Sequence, residues 1–397
     1  MGAPKYFAWD YHTSVEVGSG CRTFAAQRFT EMGCRRVALI TDKGLAEAGI
    51  VDQIKDIFEV QGSPALAGVY DRIEPDAVSR VINDCARWYR ETAADGILAL
   101  GGGSVLDSAK GVKLLLGMKA TDIKELIPGN LGPYLKPLGK PLGIPHVAIP
   151  TTAGTGSEVS PIAVIYNEEL RIKANILHPY IPADVALLDP DLTLGLSPKM
   201  TADTGFDALC HAVEGLASPG ANCMIDALGF QSVSLILKNL PAAVRDGNNL
   251  EARSKMLVAS NMAIMSFAMS GLFFPVHNIA HAVGGQLRIS HGEANAVLLP
   301  VVLKEFSRYY IPRAEELARA FGVYKEGAPP ESLLVEVVEA VRELQQKCGV
   351  KPVFDTKITG MGLENLFWAV KFDPAGIFYP LPDDIIKSCL GSCFEKQ

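Results

Sequence analysis

At 397 residues the chain is long enough for two domains with sizeable cores. A composition of 48% hydrophobic and 20% charged residues excludes a disordered chain, and a net charge of −7 leaves no electrostatic footprint for nucleic acid. No apolar run reaches the roughly 18 residues of a membrane helix, so a soluble globular protein without a membrane partner is expected. Along the chain, Arg36-Val37-Ala38-Leu39-Ile40-Thr41 is a β-rich run, and a helix is expected over about 44–60. A second strand is expected over 65–70 and a second helix over 74–91. A third strand, 96–100, ends in Gly101-Gly102-Gly103 and a helix starts at Ser104. A fourth, 146–149, leads into Pro150-Thr151-Thr152-Ala153-Gly154-Thr155-Gly156-Ser157-Glu158, and the Pro/Gly-rich stretch 127–145 reads as a surface loop. This alternation implies a parallel sheet covered on both faces. From about 192 a 3.6-residue periodicity dominates, over 221–239, 250–268, 301–321 and 331–347, and implies an all-helical domain. The change near Leu187-Leu188-Asp189-Pro190-Asp191 divides the chain into an α/β domain, 1–190, and a helical domain, 191–397.

The start of the chain lacks the apolar core of a signal peptide. Eight scattered cysteines contain no C-x-x-C pair and read as reduced thiols in a cytoplasmic protein. Cys210 adjoins His211 but points about 100° off the face His211 shares with Asp207, and reads as packing.

Five residues form the most informative pattern: Asp207, His211, His277, His281 and His291. Asp207 and His211 are spaced i, i+4, as are His277 and His281, so on helices each pair leaves one face. Four of the seven histidines fall in this stretch. Lone histidine pairs are ordinary on helix surfaces, but two such pairs followed by Ser290-His291-Gly292 are not. Imidazoles with one carboxylate suit a borderline divalent cation such as Fe(II) or Zn(II). Spacing alone leaves open which of His277, His281 and His291 bind it.

Gly101-Gly102-Gly103-Ser104 follows a strand and opens a helix, where glycines let backbone approach a diphosphate and the helix supplies free N–H groups. Alone it is equally a tight turn. The second loop, 150–158, adds hydroxyl and N–H donors after another strand, and the two together favour a nucleotide. Asp42, closing the first strand, has two readings of equal weight: a ribose acceptor that repels a 2′-phosphate and so selects NAD, or a helix cap. With metal residues in the helical half and glycine loops in the sheet half, a cleft between the halves is the expected active site.

The Gly101–Ser104 motif with Asp107 and Lys110, the 150–158 loop and the Asp/His cluster together resemble the iron-containing (group III) alcohol dehydrogenase family, over roughly 10–370. The resemblance implies a dehydroquinate-synthase-like fold, NAD or NADP as cofactor, of which Asp42 favours NAD, one divalent metal, and at least a dimer. Carried onto this sequence, it implies Asp207, His211, His277 and His291 as ligands and His281 near the substrate. It also places Asp42, Gly101, Gly102, Gly103, Ser104, Asp107, Thr151, Thr152, Thr155 and Lys173 at the cofactor. The chain departs from the family's pattern at Leu272-Phe273-Phe274-Pro275, Ala282, Arg288 and Ser290, and has Phe378-Tyr379-Pro380 where Asn-Pro-Arg is expected. These departures spare the metal and dinucleotide motifs and bear on the substrate pocket. Arg288, three residues before His291, points to an anionic group on the substrate, unless it turns outward or pairs with a neighbour such as Glu293. Phe273 and Phe274 would narrow the pocket toward short substrates.

The expected activity is thus a metal-dependent, NAD(H)-linked alcohol dehydrogenase or aldehyde reductase. A glycerol-dehydrogenase-like polyol enzyme would call for another ligand set, and a dehydroquinate-synthase-like lyase for a basic phosphate cluster that the helical half lacks. A non-catalytic nucleotide binder would have no need of the intact metal residues.

Overall fold

The computed structural model describes residues 6–126, 140–271, 274–376 and 379–394. The greater part of the expected loop 127–145, together with Phe273 and Phe378, lies outside them. The chain divides into two compact units, one of Asp10–Thr152 and Gly156–Leu194, the other chiefly of Gly195–Gln397 with Ala153–Thr155.

The first unit carries a six-stranded sheet of β1 (Ser14–Val17), β2 (Arg36–Ile40), β3 (Ala65–Tyr70), β4 (Gly96–Gly101), β5 (His146–Pro150) and, after the antiparallel pair β6 (Ile162–Asn167) and β7 (Ile172–Leu177), β8 (Val185–Leu188). The order is β1-β8-β5-β4-β2-β3 and every pairing in it is parallel. Helices cover both faces: α1 (Ala25–Glu31), α2 (Lys43–Glu47), α3 (Ile50–Phe58), α4 (Ser79–Thr92) and α5 (Gly103–Met118). Alternate residues of the strands supply two cores. Val37, Leu39, Leu98 and Leu100 pack with Phe29 of α1 and Ile54 of α3, while Ala38, Ile40, Ile97 and Ala99 pack with Ile82 of α4 and Leu115 of α5. Strands buried on both faces read as unbroken apolar runs, which is why β2, β4 and β5 stand out in the sequence.

Two expectations change. The helix over 44–60 is two helices, because Gly49 adopts a left-handed φ of 74° between α2 and α3. The helix over 74–91 begins only at Ser79, because Asp76 and Ala77 hold positive φ values of 73° and 50° and turn the chain first.

The second unit is helical: α6 (Pro198–Ala217), α7 (Cys223–Arg245), α8 (Leu250–Ala268), α9 (Pro275–Leu287), α10 (His291–Glu305), α11 (Ser307–Tyr310), α12 (Ala314–Phe321), α13 (Pro330–Lys347), α14 (Gly360–Phe372) and α15 (Asp383–Cys393). The segment 301–321, expected as one helix, is the end of α10, all of α11 and α12, and a 3₁₀ turn at Ile311–Arg313. Buried α6 runs among α7, α8 and α10. By length and composition α7 could cross a membrane, but it carries Asp226 and Lys238 and packs against α6 and α8.

Candidate metal centre and cofactor loops

Three helices of the second unit bring the ligand candidates together. Asp207 and His211 leave one face of α6, His277 and His281 leave α9, and His291 is the first residue of α10. Ser290 caps α10 by accepting from Glu293 N, and Gly292 lies so close to the backbone of Asp203 that a Cβ would not fit. The start of α10 is thereby pressed onto α6.

Ligand atoms of Asp207, His211 and His277 lie within 4.8 Å of one another, and all three residues are buried. Asp207 Oδ1 is 3.6 Å from His277 Nε2, 4.0 Å from His211 Nε2 and 3.4 Å from His291 Nε2. The rings of His211 and His277 stack at 4.6 Å. His291 is the most exposed of the four, at 25% of its side chain. Phe267 packs against both stacked rings, and Phe274 against Phe267, so an apolar wall backs the ligands.

His281 stands apart. It faces the same cluster, with its ring 5.3 Å from that of His291, but its Nδ1 looks away, 3.5 Å from Asp373 Oδ1. Both groups are buried. Asp373 is fixed by the N–H of Ala375, and Asn278 of α9 donates to Val370 O on the same turn.

The electrostatics follow from burial. Burial by itself would raise the Asp207 carboxyl, but the rings of His211, His291 and His277 together hold it below the ordinary carboxylate range. Burial lowers His211 to about 4, so it is a neutral donor near pH 7. Burial also opposes charge on His277, yet Glu214 and Asp207 outweigh it and raise its pKa. One carboxylate and three imidazoles, of which only His291 is partly exposed, are a donor set for a divalent cation, and these residues fit one.

Three site residues escaped sequence reasoning. Glu214, fully buried on α6, contacts His277 Nδ1 and accepts from Val276 N at 2.5 Å. Its signal was present, since it continues the Asp207/His211 face at i+7 and i+3. Asn295, four residues after His291, donates to Asp207 Oδ1 at 2.7 Å, with its Nδ2 3.2 Å from His291 Nε2. Asp373 carries no local signal, because its partner is on a distant helix. Cys210 contacts Asn295 O, which is packing rather than ligation.

The cofactor candidates of the first unit gather at the carboxyl ends of its central strands. The chain runs from β2 outward to β3 and then back to β4 on the other side of β2, so the order reverses between β2 and β4. A crevice outside such a reversal is where open α/β sheets take nucleotides. Asp42 follows β2, Gly101 ends β4, and Thr41 Oγ ties the two strand ends by donating to Leu100 O at 2.8 Å. A Cβ on Gly101 would come within 2.6 Å of Val105, and Gly102 lies against the Thr152 side chain. Gly103 and Ser104 open α5. Thr151 N donates to Gly101 O at 3.1 Å, which sets the second loop beside the first.

Other candidates have structural partners. Asp42 Oδ1 caps α2 by accepting from Leu45 N at 3.0 Å, so the cap reading holds, with the second oxygen left for other contacts. Ser104 Oγ accepts from Asp76 N, and Lys173 pairs with Asp76 at 2.9 Å. Asp107 is tied to Ser157 Oγ at 2.5 Å, Val164 N at 3.1 Å and Lys110 at 2.9 Å, which makes it a brace under the loop. Thr155 falls in the segment Ala153–Thr155 that groups with the helical unit. Arg288 caps α9 in a left-handed conformation with φ 57° and is exposed. Glu293 pairs with Lys199 at 2.7 Å.

Comparison with known proteins agrees with this arrangement. Residues 12–190 match the profile of iron-containing alcohol dehydrogenases, and residues 201–365 that of the C-terminal part of the Fe-containing alcohol dehydrogenase family. A long-chain-alcohol dehydrogenase of Geobacillus thermodenitrificans is 34% identical over 310 residues, 77% of this chain and 75% of that protein. Among solved structures, a 1,3-propanediol oxidoreductase superposes with a TM-score of 0.88 at 29% identity, covering 98% of this chain and all of that one. A sulfoacetaldehyde reductase from Bifidobacterium kashiwanohense, solved in complex with NAD+, superposes at 0.84 with 26% identity, covering 99% of this chain and all of that one. With its parallel sheet, its helical unit and a buried Asp/His cluster shared by three helices, the chain belongs to the iron-containing alcohol dehydrogenase family.

Proposed function

We propose that this NAD-linked, metal-dependent alcohol dehydrogenase interconverts a short primary alcohol and its aldehyde, and that Asp207, His211, His277 and His291 hold its cation. The observation that carries the reading is the buried cluster of Asp207, His211 and His277, with His291 Nε2 3.4 Å from Asp207 Oδ1 at its edge. When bound, the cation, Fe(II) or Zn(II), supplies Lewis-acid polarisation of the substrate oxygen, and the nicotinamide supplies or accepts hydride.

The chain's own residues do the rest. Asp207 brings the negative charge that a cation balances. The first N–H groups of α5, with Gly101, Gly102, Gly103 and Ser104, cradle the diphosphate, and Thr151, Thr152 and Thr155 add donors. Asp107 and Lys173 support these loops through Ser157 and Asp76. Asp42 keeps one oxygen for the ribose diol, which favours NAD over NADP. His281, oriented by Asp373, moves the proton between the substrate oxygen and solvent. The eight free thiols suit a cytoplasmic setting, and the family resemblance a homo-oligomer.

An anionic group on the substrate is the sharper form of the proposal. Arg288 is an exposed permanent cation three residues before His291. The similarity to a sulfoacetaldehyde reductase supports the same choice. The test is NADH oxidation with plain short aldehydes against short aldehydes bearing carboxylate, sulfonate or phosphonate, with and without a chelator. The expected result is chelator-sensitive turnover with the anionic aldehydes ahead on kcat/KM, and an Arg288→Ala variant that loses the preference. If plain aldehydes lead and Arg288→Ala changes nothing, the anionic form is wrong. If chelation leaves turnover intact, so is the metal role.

A further inference from the structure

We infer that Glu214 is a positioning residue of the metal centre: its buried carboxylate holds the His277 ring by Nδ1 and so aims Nε2 at the point shared by Asp207, His211 and His291. The inference rests on the ligand set proposed above and concerns a residue outside it. Glu214 has no exposed surface, and its two oxygens meet the first turn of α9, one at Val276 N and one at His277 Nδ1. It projects from the same face of α6 as Asp207 and His211. The carboxylate thus ties the helix carrying two candidate ligands to the helix carrying a third.

Two physical consequences set this apart from packing. An imidazole that ligates through Nε2 must keep its proton on Nδ1, and a carboxylate accepting from Nδ1–H selects that tautomer, fixes the ring plane and makes Nε2 a stronger donor. Glu214 also adds a second buried carboxylate to the face of α6 that carries Asp207. Two carboxylates with three imidazoles match a divalent cation. The centre is therefore built for a dication, and the carboxylate favours the loaded protein more than the empty one. A carboxylate serving only as helix glue would favour both equally.

Glu214→Gln keeps the shape and the hydrogen bond to Val276 N but removes the charge. The experiment strips and reloads wild type and Glu214→Gln with Co(II), measures affinity by competition with a chelator, and records melting of empty and loaded forms. The expected result is a ten- to hundredfold loss of affinity, a shifted Co(II) ligand-field spectrum, and a larger drop in melting temperature for the loaded form than for the empty one. Affinity within twofold of wild type, or an equal drop in melting temperature for empty and loaded forms, overturns the inference. A second measurement needs no variant. In the Zn(II)-loaded wild-type protein, nitrogen NMR of His277 should show a protonated, strongly hydrogen-bonded Nδ1, and a proton-free Nδ1 overturns the inference equally. His277→Ala separates the two levels of argument. If that variant retains full metal, the ligand set fails; if it loses metal while Glu214→Gln does not, only the role of Glu214 fails.

Discussion

At the scale of single residues, one side chain here meets two demands at once. Asp42 caps α2 through Oδ1 and stands at the crevice between β2 and β4 where a nucleotide ribose would lie. The sequence could not choose between cap and ribose acceptor because both require a short carboxylate at the end of a strand. The geometry shows that the first does not exhaust the side chain. This changes the variant that tests cofactor choice. Asp42→Gly would remove charge and cap together, whereas Asp42→Ser keeps an acceptor for Leu45 N and removes only the charge. Repulsion of a 2′-phosphate by a nearby carboxylate is worth about 1–3 kcal/mol in a partly solvated site, so Asp42→Ser should improve kcat/KM for NADPH roughly ten- to hundredfold. Its melting temperature should barely move. A native enzyme that already uses NADPH better than NADH would reduce Asp42 to a cap. His281 shows the complementary case: the i, i+4 spacing paired it with His277, but spacing says nothing of where each ring points, and His281 turns its Nδ1 to Asp373 instead. Its alanine variant should keep metal and lose rate, while His277→Ala and His291→Ala lose both.

At the scale of elements, what was legible follows from what each element buries. β2, β4 and β5 lie inside the sheet and read as apolar runs, and edge strand β3 still reads as an apolar segment; edge strand β1, mostly exposed, and the short hairpin β6–β7 do not. The i, i+4 pairs were legible because helix geometry converts spacing into a shared face. Breaks such as Gly49 between α2 and α3 were not, because a glycine inside a periodic pattern reads as a tolerated residue until its φ is known. The loop 150–158 holds the clearest lesson. Its glycines read as backbone freedom for a nucleotide, but Gly154 serves another end: a Cβ there would lie 2.8 Å from Thr204 Cβ and 2.9 Å from Thr204 O, on the backbone of α6. Ser260 of α8 donates to Gly154 O at 2.9 Å, and the backbone of Gly154 meets the ring of His211. Gly154→Ala should therefore push on the ligand helix. Overpacking against a rigid backbone costs about 1–3 kcal/mol, so the variant should melt lower and bind Co(II) more weakly. Unchanged melting and metal affinity would show that the loop yields without disturbing α6.

At the scale of the whole molecule, the two expected ligands belong to different halves of the chain. All four proposed metal ligands, with Glu214 and Asn295, come from α6, α9 and α10 of the helical unit. Asp42, Gly101–Ser104, Thr151 and Thr152 come from the strand ends of the sheet unit. Each unit has its own core, so each ligand should stabilise chiefly the unit that holds it. A ligand at a hundredfold excess over its Kd adds about 2.7 kcal/mol to the state that binds it, or nearly a hundredfold in opening equilibrium. Hydrogen exchange read along the chain separates the two. Zn(II) added to the stripped protein should slow exchange up to that limit in α6, α9 and the first turns of α10, where one cation clasps three helices. It should leave β2 and β4 nearly unchanged. NAD+ added without metal should do the reverse, slowing the first turn of α5 and the Gly101–Gly103 segment while α9 keeps its rates. The metal arm also tests the ligand set by position, since α12 and α13 supply no proposed ligand and should gain less than α9. Protection spread evenly over both units by either ligand would mean that the chain opens as one cooperative body, and the assignment of each ligand to its own unit would then carry no energetic weight.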